Sequence, residues 1–217
     1  MQSLGVIFDI DGVVVASYQP HFDSWRTVTR ELGAEMTEEQ FVATFGWTSR
    51  EIIVRYWPHL ADSPAEVARI DQRKEALFRE LLSANFPPMD GAVELIDALS
   101  AAGFRLAVGS SGPRENVELS LEKLGRRGKF QAAISGSDVQ RGKPDPQIFQ
   151  LAAERLGLAP ARCLVIEDAP AGVAAAKAAG CRCLGLAGGP PRDLSAADLV
   201  VHSLHEVDAE LVRRLLN

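Results

Sequence analysis

The sequence predicts an α/β fold: a doubly wound parallel-sheet core with a small α-helical domain inserted into it. Three observations carry this reading. Short apolar runs of strand length alternate with segments of helical periodicity, and glycines follow the helical segments. Residues 17–86 break that alternation with helices alone.

Taken in order, Leu4–Phe8 has the length and apolar content of a buried strand. Comparable runs follow at Arg105–Val108, Ala132–Ser135, Cys163–Ile166, Cys183–Leu186 and Leu199–Val201. Ala92–Ala102, Glu115–Leu124, Pro146–Leu156 and Ala171–Ala179 place apolar residues at helical spacing, and Gly103, Gly125, Gly157 and Gly180 supply the stops. Strands alternating with helices imply a parallel, Rossmann-like sheet covered on both faces. The interruption reads as four helices at 20–32, 37–45, 49–57 and 64–84. It holds ten of the fourteen aromatic residues, Trp25, Trp47 and Trp57 among them, so it has the means to form its own core with the tryptophans inside. Asn85-Phe86-Pro87-Pro88 is the return linker. The expected organisation is therefore an α/β core made of 1–16 and 87–217, with 17–86 as the inserted helical domain.

Bulk properties exclude several classes of function. The chain has 217 residues, 47% of them hydrophobic, which suffices for one substantial core and a smaller second one. Its net charge of -6 is spread without long single-sign runs, so no nucleic-acid partner is expected. No apolar run reaches the roughly 18 residues of a membrane span, and MQSLGVIFDIDG enters a strand pattern without a signal peptide. The expected setting is cytoplasmic, with no membrane partner. Cys163, Cys181 and Cys183 are odd in number and form no C-x-x-C pair, so they read as reduced core thiols. His21, His59, His202 and His205 are scattered, which argues against zinc or iron.

In open α/β sheets, ligands bind beyond the carboxyl ends of the strands. Those positions hold Asp9, Asp11 and Gly12 after the first strand, and Ser110, Ser111 and Gly112 after the second. Gly142-Lys143-Pro144-Asp145-Pro146 follows the third, and Glu167 and Asp168 follow the fourth. Singly, each has an ordinary reading as a turn, an exposed loop lysine or helix N-terminal acids. Asp-x-Asp-Gly could also open a calcium loop, but the remaining ligands of that loop are missing. Four acids around one crevice would repel one another unless a cation neutralised them, and hard carboxylate oxygens suit Mg²⁺. Lys143 is the positive counterpart, able to keep a nucleophilic carboxylate ionised and to neutralise phosphoryl oxygens. Ser110 and Ser111 are candidate phosphate clamps.

Asp9-Ile10-Asp11-Gly12-Val13-Val14, Ser110, Lys143 in Gly-Lys-Pro-Asp-Pro, and Glu167-Asp168 with Gly172 resemble the four-motif signature of haloacid dehalogenase-like phosphatases and phosphomutases. The resemblance spans the chain. A helical cap inserted after the first motif is the pattern of the subgroup that includes β-phosphoglucomutase and phosphoglycolate phosphatase. It implies Asp9 as nucleophile and metal ligand, and Asp11 as general acid and base that lends its carbonyl to the metal. It further implies that Asp168 completes the magnesium site with Glu167 beside it. An acid at position 11 disfavours dehalogenation, since dehalogenases of this superfamily lack one there.

The resemblance also points into the cap. Gly46-Trp47-Thr48-Ser49-Arg50-Glu51 resembles the subgroup's specificity loop, and His21 sits where β-phosphoglucomutases carry a histidine. His21, Arg50 and Trp47 are thus candidate specificity residues for a small phosphorylated substrate such as a sugar phosphate. The lysine that those mutases present from the last cap helix aligns with Arg79 or Glu80, which counts against mutase activity. Arg114 is a further candidate phosphate contact. The implied function is a magnesium-dependent phosphatase acting as a monomer through an aspartyl-phosphate, with a phosphomutase as the alternative. A non-catalytic phospho-accepting switch of the receiver type is disfavoured, because there the metal-binding acidic pair precedes the phosphorylated aspartate.

Overall fold

The computed structural model of the chain describes residues 3–44, 47–189 and 191–217. Among the described residues, six parallel strands form one sheet: β1 (Gly5–Phe8), β2 (Arg105–Gly109), β3 (Phe130–Ile134), β4 (Cys163–Glu167), β5 (Arg182–Leu186) and β6 (Leu199–Val201). Their order is β3-β2-β1-β4-β5-β6, so the direction of winding reverses between β1 and β4. Such a switch point opens a crevice at the carboxyl ends of the two strands. Residues Gly5–Phe8 are all buried, as a central strand covered on both faces requires. Ile7, Val165, Phe149, Ala152 and Ala176 share one core cluster with all three cysteines. The cysteines are unpaired and buried, as reduced core thiols should be.

Around the sheet run α5 (Ala92–Ala101), α6 (Arg114–Leu124), α7 (Gln147–Arg155), α8 (Pro170–Ala178) and α9 (Ala209–Leu216). The first four end one or two residues before the glycines that mark their stops. The sequence reading starts β3 two residues late and omits α9. Phe130 is buried and pairs with Leu106, but the exposed Gln131 interrupts the apolar run. The α9 helix is a short terminal element, started by the Asp208 carboxylate accepting from Leu211 N at 2.7 Å.

By internal contacts the chain divides into two compact units, Met1–Ala16 with Pro87–Asn217, and Ser17–Phe86. Where the α/β unit is interrupted, its two backbone segments run side by side. Ala16 N donates to Pro87 O at 2.9 Å, and Met89 N donates to Val14 O at 3.0 Å.

The helical unit contains α1 (Tyr18–Glu31), α2 (Glu38–Thr44), α3 (Ser49–Tyr56) and α4 (Pro64–Ala84). Phe22, Trp25, Phe41, Ile53, Trp57 and Ile70 build its core. Trp25 and Trp57 lie inside as expected, whereas Trp47 is 49% exposed. Thr48 and Glu51 form a reciprocal capping box at the start of α3, and Ser63 caps α4 ahead of Pro64. Among the described residues, no helix is long and apolar enough to cross a membrane.

Candidate active site

Parallel register sets the site. Phe8 lies level with Ile166, and Asp9 N donates to Ile166 O at 3.0 Å. The residues that follow β1 and end β4 are therefore neighbours at the switch point. One carboxylate oxygen each from Asp9, Glu167 and Asp168 lies within 4.8 Å of the other two, and all three residues are buried. Lys143, in the loop between β3 and α7, donates from Nζ to Asp9 Oδ1 and to Glu167 Oε1, each at 2.6 Å. The same ammonium lies 4.8 Å from the centre of the Phe149 ring, a further favourable contact for a buried cation.

Glu167 is engaged at both oxygens. While Oε1 accepts from Lys143, Oε2 accepts from the backbone N–H groups of Asp168 and Ala169 at 2.9 and 3.0 Å. These amides precede α8, where the helix dipole favours an anion. The arrangement depends on Gly172: a Cβ there would meet Glu167 Oε1 at 1.8 Å. Gly12 does the same for the other acid. It has a φ of +83°, and a Cβ on it would meet Asp168 Oδ2 at 2.1 Å.

Burial pushes the Asp9 carboxyl well above its ordinary value; Glu167, Asp11 and Asp168 add to the rise and Lys143 opposes it. Burial alone would lower Lys143, but Asp9 and Glu167 outweigh it and hold the ammonium protonated beyond the usual lysine range. The Asp168 carboxyl is pushed up to about 7 by burial and by Glu167, against the pull of Arg192 and Lys143.

Arg192 was not foreseen. From the segment after β5, its Nη1 donates to Asp168 Oδ2 at 2.5 Å and to Asp168 O at 3.1 Å. The only sequence signal is position, since it too follows a strand end. Four carboxylates, Asp9, Asp11, Glu167 and Asp168, thus face two cations, Lys143 and Arg192. A hard divalent cation suits those oxygen donors.

Other expected residues fall variously. The Asp11 carboxylate acts electrostatically on Asp9 but is not one of the three that converge. Ser110 is buried after β2, its hydroxyl accepting from Gly112 N at 3.1 Å, whereas Ser111 is exposed. Arg114 pairs with Asp138, a structural partner that satisfies it without a phosphate.

In the helical unit, Arg50 and Trp47 are exposed, and Gly46 lies outside the described residues. The His21 ring stacks on Phe78, with centroids 3.9 Å apart, and its Nδ1 lies 2.8 Å from Lys74 Nζ. Lys74 is only 4% exposed and also pairs with Glu75 at 2.8 Å. An ammonium can only donate, so Nδ1 accepts and the ring proton belongs on Nε2. The resemblance aligns the mutase lysine with Arg79 or Glu80 of α4. Lys74 is a buried lysine on the same helix, five residues before Arg79 and six before Glu80.

Residues 4–180 match the family model described as haloacid dehalogenase-like hydrolase. Validoxylamine A 7'-phosphate phosphatase of Streptomyces hygroscopicus subsp. limoneus is 31% identical over 202 residues, covering 93% of this chain and 94% of that protein. Beta-phosphoglucomutase of Bacillus subtilis (strain 168) is 30% identical, with 95% and 92% covered. The crystal structure of CbbY from Rhodobacter sphaeroides in complex with phosphate superposes with a TM-score of 0.85 at 28% identity, covering 94% of this chain and 96% of that one. With the family model matching most of its length, the chain belongs to the haloacid dehalogenase-like hydrolases.

Proposed function

We propose that this protein is a magnesium-dependent phosphatase of small phosphorylated metabolites, sugar phosphates foremost, working through an aspartyl-phosphate on Asp9. The observation that carries the reading is the Asp9 carboxylate at the switch point, its Oδ1 bound to Lys143 at 2.6 Å and two further buried carboxylates beside it. The phosphatase and phosphomutase relatives support the same substrate class.

Asp9 and Asp168, with the Asp11 carbonyl, are the residues assigned to hold Mg²⁺. Glu167, whose oxygens already accept three hydrogen bonds, supports them from behind. When bound, the ion supplies charge neutralisation for phosphoryl oxygens.

The chain's own residues carry the steps. Asp9 Oδ2 attacks phosphorus as the bond to the leaving oxygen breaks, and Asp11 gives that oxygen its proton. Asp11 then takes a proton from water as the water oxygen bonds to phosphorus, and the bond to Oδ2 breaks. Lys143 keeps Asp9 ionised and stabilises equatorial charge, and Ser110 donates to a phosphoryl oxygen. Ser111, exposed beside it, takes the lesser phosphate contact. His21, Arg50 and Trp47 of the cap select the rest of the substrate.

Three reduced, buried cysteines suit a reducing compartment, and the net charge of -6 suits small substrates rather than nucleic acid. We assign a cytoplasmic setting on that basis and propose that the protein acts as a monomer.

One observation favours a second reading, phosphomutase activity. Lys74, on the last cap helix, is buried 2.8 Å from His21, and the resemblance gives β-phosphoglucomutases a lysine on that helix and a histidine at the position of His21. A mutase would admit a sugar hydroxyl where the phosphatase admits water. The test is phosphate release from sugar phosphates, phosphoglycolate and p-nitrophenyl phosphate with and without Mg²⁺, beside a coupled assay for isomerisation of β-glucose 1-phosphate. Magnesium-dependent release without isomerisation supports the phosphatase. Primer-dependent isomerisation with little free phosphate moves the assignment to the mutase, and silence in both assays removes the proposal.

A further inference from the structure

Arg192 carries an inference that rests on the proposed metal site. Its guanidinium holds Asp168 through both the carboxylate and the carbonyl, with the two side chains 13% and 7% exposed. Exposed ion pairs contribute little, but a pair this dry is neither screened nor easily replaced by water. Its carboxylate is also one of the three that converge, so the same group that would coordinate a cation already has one. Lys143, by contrast, is committed to Asp9 and Glu167. The two cations divide the three carboxylates between them.

We propose that Arg192 is a positioning residue and standing counter-ion of Asp168: it holds that carboxylate in place when no metal is bound and competes with a divalent cation for it. Two consequences follow from elementary electrostatics. Removing the guanidinium takes a competing positive charge from the site, so a divalent cation should bind more tightly. The metal-free protein should at the same time be less stable, because Asp168 then stands buried without its partner. Both contacts come from the single nitrogen Nη1, a donor that a lysine ammonium can replace while keeping the charge, so Arg192→Lys should stay near wild type.

The experiment is calorimetric titration of Mg²⁺, and of Mn²⁺ as a second probe, into wild type, Arg192→Gln and Arg192→Lys freed of metal. The expected result is binding tighter by about tenfold in Arg192→Gln, with Arg192→Lys within about threefold of wild type. Thermal melting supplies a second readout, since the Mg²⁺-induced rise in Tm should be larger in Arg192→Gln than in wild type. A merely structural role would lower both melting curves and leave that rise unchanged. Equal or weaker cation binding by Arg192→Gln, or an unchanged rise, overturns the proposal. A wild type that binds neither cation removes the metal reading itself, and this inference with it.

Discussion

The two units of this chain bury charge in opposite ways. In the α/β unit, buried charges gather at the carboxyl ends of four strands and pair across them: Lys143 bridges Asp9 and Glu167, and Arg192 holds Asp168. In the helical unit the core mixes aromatic and aliphatic side chains, and the buried Lys74 is enclosed by Trp25, Phe78, His21 and Glu75. The difference teaches where each kind of chemistry can reside. A rigid parallel sheet can hold like charges close enough to need a cation. A small helical module can carry a polar contact only where aromatic rings and one local acid satisfy it.

Substitutions should therefore act on all substrates in the sheet and on particular substrates in the cap. The largest effect is expected for Lys143→Met, which leaves Asp9 and Glu167 without their shared cation. Breaking a buried pair in this way costs about 3–5 kcal/mol, and turnover should fall by about 10³-fold. Urea unfolding and phosphate release check both, and equal loss on every substrate is the expected pattern. Gly172→Ala comes next. Its Cβ must displace the Glu167 carboxylate, at a cost of about 1–3 kcal/mol and a loss of roughly 10–100-fold in kcat/KM, again without regard to substrate. Within the cap, Lys74→Met should raise KM for sugar phosphates about tenfold while affecting p-nitrophenyl phosphate less. Equal losses on both substrates would break the division of labour.

The smallest effect is a pH dependence peculiar to the sheet. With its carboxyl raised to about 7, Asp168 binds a proton more tightly in the folded than in the unfolded chain. Its contribution to stability is thus present at low pH and lost as pH climbs from the ordinary carboxylate range toward 7. Melting in chelator should show Tm falling by a few degrees, about 2–4 °C, across that window, and Mg²⁺ should flatten the trend.

Much of this was legible in the sequence, for identifiable reasons. The central strands are short, fully buried apolar runs, and a parallel sheet puts the polar residue that follows each run at one edge. Asp9, Ser110, Lys143 and Glu167-Asp168 could therefore be collected without knowing any distance. Gly172 was visible only as part of a resemblance; its physical reason, the Glu167 carboxylate packed on its Cα, is a three-dimensional fact. Arg192 was hidden because its partner lies 24 residues away and its own segment has no periodicity. Lys74 was hidden because α4 carries charged residues along 21 positions, and lysine is so seldom buried that composition directs attention elsewhere. The exposure of Trp47 defied the rule that aromatic residues fill cores, since a module this small has only so much interior.

The central claim, that the Asp9 carboxylate forms the bond to phosphorus, is tested most directly by Asp9→Asn. The amide keeps the shape of the side chain and removes the nucleophile, so turnover of every phosphorylated substrate should fall on the order of 10⁴-fold or more, with the thermal melt at or above that of wild type. Phosphate release by folded Asp9→Asn at near the wild-type rate would contradict the account.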